Sequence, residues 1–282
     1  MAFCLGSRII ANRPLTDYLK TAVLHFKVIE LQADPQYFSP NYTLTANEKN
    51  IIRIYRERYG FQLTMHAPFK NIRLGALDFG ERQLAINIFL NTIRIAAEFN
   101  IELITFHPCT IEPNQPDVYQ ENCLFEEGSL AILLNEAKKH GISLLMENMP
   151  LTPEFHPKTC DGARFQELLW LFAGPEFGLT IDVGHALQAQ VSLESLLKME
   201  RIRHFHFHEN DRLLDQHQPI QSNLDWWEKT VKTIARNYPQ AAAILEMNSL
   251  EEQIESCQNL NRMLGRTAPK LNRQPIPPFL PD

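Results

Sequence analysis

IRHFHFHENDRLLDQHQPIQSNLDWWEKTVKTIARNYPQAAAILEMNS, residues 202–249, contains one full repeat of the chain's plan. It opens with histidine alternating with phenylalanine, the period of a strand whose two faces meet different surroundings. A polar loop follows. Then LDWWEKTVKTIARNY (224–238) spaces its apolar residues three and four apart, as a helix lying on a core does. AAAILEMNS (241–249) is again a short apolar run of strand length.

The same unit recurs upstream. AFCLGS (2–7), FKVIELQ (26–32), FQLTMHAPF (61–69), IELITFHPC (101–109), ISLLMENMP (142–150) and FGLTIDVGH (177–185) bring the strand candidates to eight. Segments such as LTANEKNIIRIYRERYG (44–60) and FGERQLAINIFLNTIRIAAEFN (79–100) separate them with helical spacing, and NEAKKHG (135–141) ends in a basic turn and Gly, a helix stop. Strict alternation of strand and helix predicts α/β architecture. A doubly wound open sheet competes, but the repeat count favours closure into a single-domain (β/α)8 TIM barrel over residues 1–264. No glycine-rich phosphate fingerprint follows the first strand, which argues against dinucleotide binding. A Pro-rich C-terminal tail, 265–282, is expected to pack on the surface or to be disordered.

The 282 residues are 44% hydrophobic and 21% charged, the composition of a soluble globule with a sizeable core. A net charge of -6 argues against a nucleic-acid partner without excluding a local basic patch. Five cysteines (4, 109, 123, 160, 257), odd in number and with no C-x-x-C pair, suit a reducing compartment. With no signal-peptide pattern and no long apolar run, a cytoplasmic location and no membrane partner are expected. A homo-oligomer is compatible with the sequence.

Ligand-type residues fall at the C-terminal ends of the candidate strands: His66, His107, Glu147, Asp182, His185, His206 and Glu246, with Asp215 and His217 in the loop after strand seven. A parallel barrel gathers those ends on one face, where active sites lie. Imidazoles and carboxylates without cysteine suit divalent Zn, Mn or Co. Nine such groups would serve two or three ions about 3.5–4 Å apart, while Glu147, Asp182, His206 and Glu246 would suffice for one, so one to three per chain are expected. Any one of these residues alone reads more readily as a cap, a surface group or a satisfied core residue. Together they would leave one rim crowded with charge, a cost that bound cations remove.

On strand periodicity His204, His206 and His208 share one face, with Phe205 and Phe207 outward against helices. His206 would sit at ligand height, His204 one layer deeper in a supporting role, and His208 nearer the rim as a substrate contact. Thr64, Thr105 and Thr180 are inward positions that either orient ligands or fill the barrel. Glu30 is read as a rim carboxylate. Lys70, Lys158 and Arg212 could grip a substrate phosphate, although solvated surface charge is the plainer reading of each. Trp226 and Trp227 could stack on a sugar or pack against the barrel.

These motifs resemble the xylose isomerase-like TIM barrels, which include sugar phosphate isomerases and epimerases and apurinic/apyrimidinic endonucleases of the endonuclease IV type. The resemblance covers roughly residues 1 to 264. Its endonuclease branch implies one zinc on His66, His107 and Glu147, a second on Glu147, Asp182, His206 and Glu246, and a third on His185, Asp215 and His217. Its epimerase branch implies one Mn or Co on Glu147, Asp182, His206 and Glu246, with Glu147 and Glu246 as the catalytic acid and base. HFHFHENDRLLDQHQPIQSN departs from the pattern where Glu209 replaces Asp and Gln221-Ser222-Asn223 replaces a glycine-rich turn. The expected function is a metal-dependent isomerase or epimerase of a small sugar or sugar phosphate, because Glu147 and Glu246 offer a proton-moving pair. The alternatives are a phosphodiester hydrolase on abasic DNA and a catalytically silent metal- or carbohydrate-binding barrel.

Overall fold

A computed structural model of the chain describes residues 3–11, 13–36, 42–110 and 118–266. Eight strands run in order: β1 (Cys4–Arg8), β2 (Val28–Gln32), β3 (Gln62–His66), β4 (Leu103–Phe106), β5 (Ser143–Glu147), β6 (Phe177–Asp182), β7 (Ile202–Phe207) and β8 (Ala242–Leu245). The helices between and after them are α1 (Leu15–His25), α2 (Ala46–Tyr59), α3 (Phe79–Glu98), α4 (Tyr119–Lys139), α5 (Pro157–Cys160), α6 (Ala163–Leu171), α7 (Val183–Gln188), α8 (Leu193–Leu196), α9 (Leu224–Asn237) and α10 (Leu250–Met263). Each strand pairs in parallel with its sequence neighbours, and β1 pairs with β8 to close the barrel. The expected (β/α)8 architecture is what the chain adopts, as a single domain. The Pro-rich tail lies, from residue 267 on, outside the described residues. Among those residues no helix is long and apolar enough to cross a membrane.

The elements form where local chemistry ends and begins them. Thr45 with Glu48, and Ser249 with Glu252, make reciprocal capping boxes at the starts of α2 and α10. Gly141, at φ 68°, turns the chain out of α4 and into β5. The main core lies between strands and helices: Phe205 packs its ring 5.2 Å from Tyr238 and Phe207 5.5 Å from Trp227, all on the outside of β7. The inner faces carry the polar residues. In the β6–β7 ladder Leu179 pairs with Ile202 and Thr180 with His204, so Arg203 is an extra residue bulged from the strand. That bulge aligns His204 with Thr180 and His206 with Asp182 across the ladder.

A Cβ added to Gly6, inside β1, would stand 2.5 Å from Ile244 Cδ1 and 2.9 Å from the Val28 carbonyl oxygen. The barrel closes that tightly beneath the site.

Candidate metal centre at the barrel mouth

The hub of the mouth is Glu147, the last residue of β5, almost wholly buried. Its Oε1 is 2.7 Å from His206 Nδ1, and its Oε2 is 3.2 Å from His107 Nε2 and 3.3 Å from His66 Nε2. The opposite wall comes from β8: Glu246 follows its last residue and places Oε1 3.5 Å from the same His206 Nδ1. Asp182 ends β6 and caps α7 by accepting from the His185 amide at 2.7 Å. Donor atoms of Glu147, Asp182, His206 and Glu246 all lie within 4.8 Å of one another, an inner cage of three carboxylates and one imidazole. His66, His107 and Glu147 form a second such group.

A third group lies further out and contains one residue more than the motifs imply. His185 Nε2 and His217 Nε2 are each 3.3 Å from Asp215 Oδ2. His208, expected near the rim, is instead fully buried between Asp182 (3.2 Å) and Asp215 (3.5 Å), its ring stacked 4.0 Å from that of His217. The residue that makes room for it is Gly184 in D-V-G-H, because a Cβ there would stand only 2.1 Å from Cε1 of the His208 ring. Gly184→Ala is therefore expected to displace His208 and weaken Zn2+ binding to the outer group by at least about tenfold, the scale of a misplaced ligand or its support. Equilibrium dialysis with elemental analysis reads this, and unchanged binding would refute it.

The imidazoles are oriented by main chain. His66 Nδ1–H donates to Ala67 O (2.8 Å), His185 Nδ1–H to Asn148 O (2.7 Å) and His217 Nδ1–H to Glu246 O (2.8 Å). A carbonyl can only accept, so when neutral each ring has Nε2 as the lone-pair nitrogen facing the carboxylates. Asn148 also clamps the end of β6, donating to Asp182 O at 2.9 Å and accepting from Asp182 N at 2.8 Å. That explains the E-N pair at the end of β5.

The residues fit divalent cations. Asp182 Oδ2, Asp215 Oδ1, Glu246 Oε1 and His208 Nε2 are buried without a hydrogen-bond partner, and all converge on these groups. Buried polar groups are ordinarily satisfied. Without cations the imidazoles must supply the positive charge. Burial opposes charging His206 and His185, yet Glu246, Glu147 and Glu30 around the first, and Asp182 and Asp215 around the second, raise both well above the usual imidazole range. Burial raises the Glu147 carboxyl as well, but His206, His107 and His66 outweigh it and hold it well below its usual range. His107 and His217 are lowered, chiefly by burial.

The remaining expectations sort by position. Lys70 donates to Gln36 and, with Arg73, Phe69 and Phe155, lines a cleft of about 860 Å3 that reaches His107. Lys158 pairs at 2.7 Å with Glu167 on α6. Arg212 and Trp226 line a groove among α7, α8 and α9, away from the carboxylates. Trp227 is core, and its Nε1–H donates to Glu209 at 2.6 Å. Glu209 thus points to α9 and pins the loop after β7, which accounts for Glu at that position. Thr105 and Thr180 hydrogen-bond each other at 2.8 Å. Glu30 is not on the rim: it is fully buried one layer below, because its inward position on β2 pairs with Thr64 rather than with a strand end. Arg8, at the end of β1 and 3.8 Å from Glu246, had no motif to mark it.

Among known proteins, the chain is similar to a D-tagatose 3-epimerase-like protein of solved structure (22% identity, TM-score 0.77, covering 94% of this chain and 97% of that one). It is 24% identical to an uncharacterised protein of Methanocaldococcus jannaschii over 94% of this chain and 89% of that one. A probable endonuclease 4 of Campylobacter curvus is 29% identical over 44% of this chain and 42% of its own length. The model of the xylose isomerase-like TIM barrel matches residues 20–263, and the chain belongs to that family.

Proposed function

We propose that the chain is a divalent-metal-dependent isomerase or epimerase of a small sugar or sugar phosphate. The observation that carries this reading is the inner cage, where Glu147 at the end of β5 and Glu246 after β8 approach the same His206 nitrogen, at 2.7 and 3.5 Å. Glu147, Asp182, His206 and Glu246 would hold the ion, which when bound supplies positive charge that polarises adjacent carbonyl and hydroxyl oxygens. One glutamate would remove the proton on the carbon beside the carbonyl, and the other would deliver a proton to the opposite face of that carbon in an epimerisation or to the former carbonyl carbon in an isomerisation. Lys70, lining the cleft that reaches His107, would meet an anionic end of such a substrate, whereas Lys158 is paired with Glu167 and Arg212 lines a separate groove. His208, held between two carboxylates, serves the outer group rather than substrate. The similarity to the tagatose 3-epimerase-like protein supports the fold in which such chemistry occurs.

The outer group of His185, His208, Asp215 and His217, together with the similarity to a probable endonuclease 4, favours a second reading as a phosphodiester hydrolase clamping its substrate between ions. One experiment separates the two. Protein purified without added metal is analysed for its ions and then incubated with a panel of ketoses and ketose phosphates in D2O, and in parallel with a duplex bearing an abasic site. Metal-dependent deuterium entry beside the carbonyl is the expected result. Strand cleavage with about three zinc ions and no exchange would transfer the assignment to hydrolysis, and neither activity would leave a binding barrel.

A further inference from the structure

We infer that Glu30 is a positioning residue for metal binding: its buried carboxylate holds the Nε2–H of His206, so that Nδ1 presents the lone pair to an ion between Glu147, Asp182 and Glu246. The inference rests on the inner cage being an ion site.

His206 is turned the other way from its neighbours. His66, His185 and His217 donate Nδ1–H to main-chain carbonyls and leave Nε2 facing the carboxylates. In His206, Nδ1 faces Glu147 and Glu246, and Nε2 points down the barrel to Glu30 Oε1 at 3.1 Å. The position explains the difference. His206 lies within β7, paired with Asp182 of β6 and Ile244 of β8, so the surrounding carbonyls serve the strand ladders. A side chain from across the barrel has to supply the acceptor.

Glu30 is built for that task. Its other oxygen, Oε2, accepts from Thr64 Oγ1 at 3.0 Å and from His204 Nε2 at 2.9 Å, which fixes the carboxylate plane and leaves Oε1 for His206. The carboxylate is fully buried, and its charge-bearing neighbours are the two imidazoles. A buried carboxylate is costly to retain for stability alone. A carboxylate behind a ligand histidine fixes its tautomer and raises its basicity. Glu30, His204 and His206 also lie close enough to hold an ion of their own. However, His204 Nε2 is already hydrogen-bonded to Glu30, His206 Nε2 and Glu30 Oε1 stand 3.1 Å apart with no other partner for either atom among the described residues, and all three residues are fully buried.

The test measures Mn2+ affinity by chelator competition, and the visible spectrum of the Co2+-loaded protein, for the wild type, Glu30→Gln and Thr64→Val. The inner ion is identified as the one weakened by Glu246→Gln. Glu30→Gln should weaken that ion about 10–100-fold and alter its Co2+ spectrum while circular dichroism stays that of the wild type. Thr64→Val, which leaves the carboxylate but removes one of its anchors, should weaken it by a smaller factor in the same direction, and decides the matter if Glu30→Gln does not fold. Unchanged affinity and spectrum in a folded variant would overturn the role of Glu30. So would an additional wild-type ion lost in Glu30→Gln with the inner ion unaffected. A wild type with no inner ion would overturn the functional reading itself.

Discussion

Glu147→Gln is expected to abolish measurable turnover, a loss of at least about 10^3-fold, within the 10^2–10^4 that a positioned acid or base contributes plus the loss of a ligand. Glutamine keeps the shape of the side chain but neither accepts a proton from carbon nor carries charge to a cation. The surroundings make the loss larger than a single contact suggests. His66, His107 and His206 all lie within 3.3 Å of this carboxylate, and His185 Nδ1 lies 3.8 Å away. Removing its charge therefore loosens two ligand groups at once. Glu246→Gln, whose nearest ring contacts are 3.5 Å to His206 and 3.8 Å to His217, should reduce turnover comparably with a smaller effect on bound metal. Deuterium exchange at saturating Mn2+, read beside metal content, separates the two contributions. Full exchange activity in either variant would remove that glutamate from the acid/base pair.

Arg164→Met is expected to cost about 3–5 kcal/mol of stability, because it strips the partner from a buried carboxylate. Arg164 on α6 is almost wholly buried and donates to Glu126 (2.9 Å), Glu127 (2.9 Å) and the Cys123 carbonyl (3.2 Å) on α4. Glu126 is fully buried and turns its other oxygen to the amide of Cys109, two residues beyond His107. Burial raises the Glu126 carboxyl even with the guanidinium beside it. Without Arg164 it must take up a proton or stay charged without a partner. Thermal unfolding should show a fall of roughly 10 °C, at the few degrees per kcal/mol usual for chains of this size. Pairing it with Glu126→Leu should recover part of the loss, since two matched apolar residues leave no buried charge. A shift of a degree or two in the single variant would show that Glu126 finds another partner.

The fold was open to reading because it rests on local patterns. Strand-length apolar runs recur eight times with helically spaced segments between them, and a parallel barrel is what such repetition builds. The ligand-type residues were legible for a related reason: once the strands are parallel, their C-terminal ends must share a rim, so His66, Glu147, Asp182 and Glu246 could be placed together from far apart in sequence.

What sequence could not supply was depth and partner. Glu30 reads like any carboxylate at a strand end, and only the register of β2 against β3 sinks it below the mouth to meet His204 and His206. The alternation of His and Phe already set the histidines on the inner face of β7, but the β6–β7 bulge that aligns them with Thr180 and Asp182 leaves no mark in it. His208 joins Asp182 and Asp215 because Gly184, from a different strand-to-helix turn, leaves space for its ring. Composition and periodicity are properties of neighbours along the chain, and they determined the barrel and the identity of its polar rim. Which nitrogen faces which carboxylate depends on contacts between residues far apart in the chain, 174 positions for Glu30 and His204, and closure of the barrel decided it.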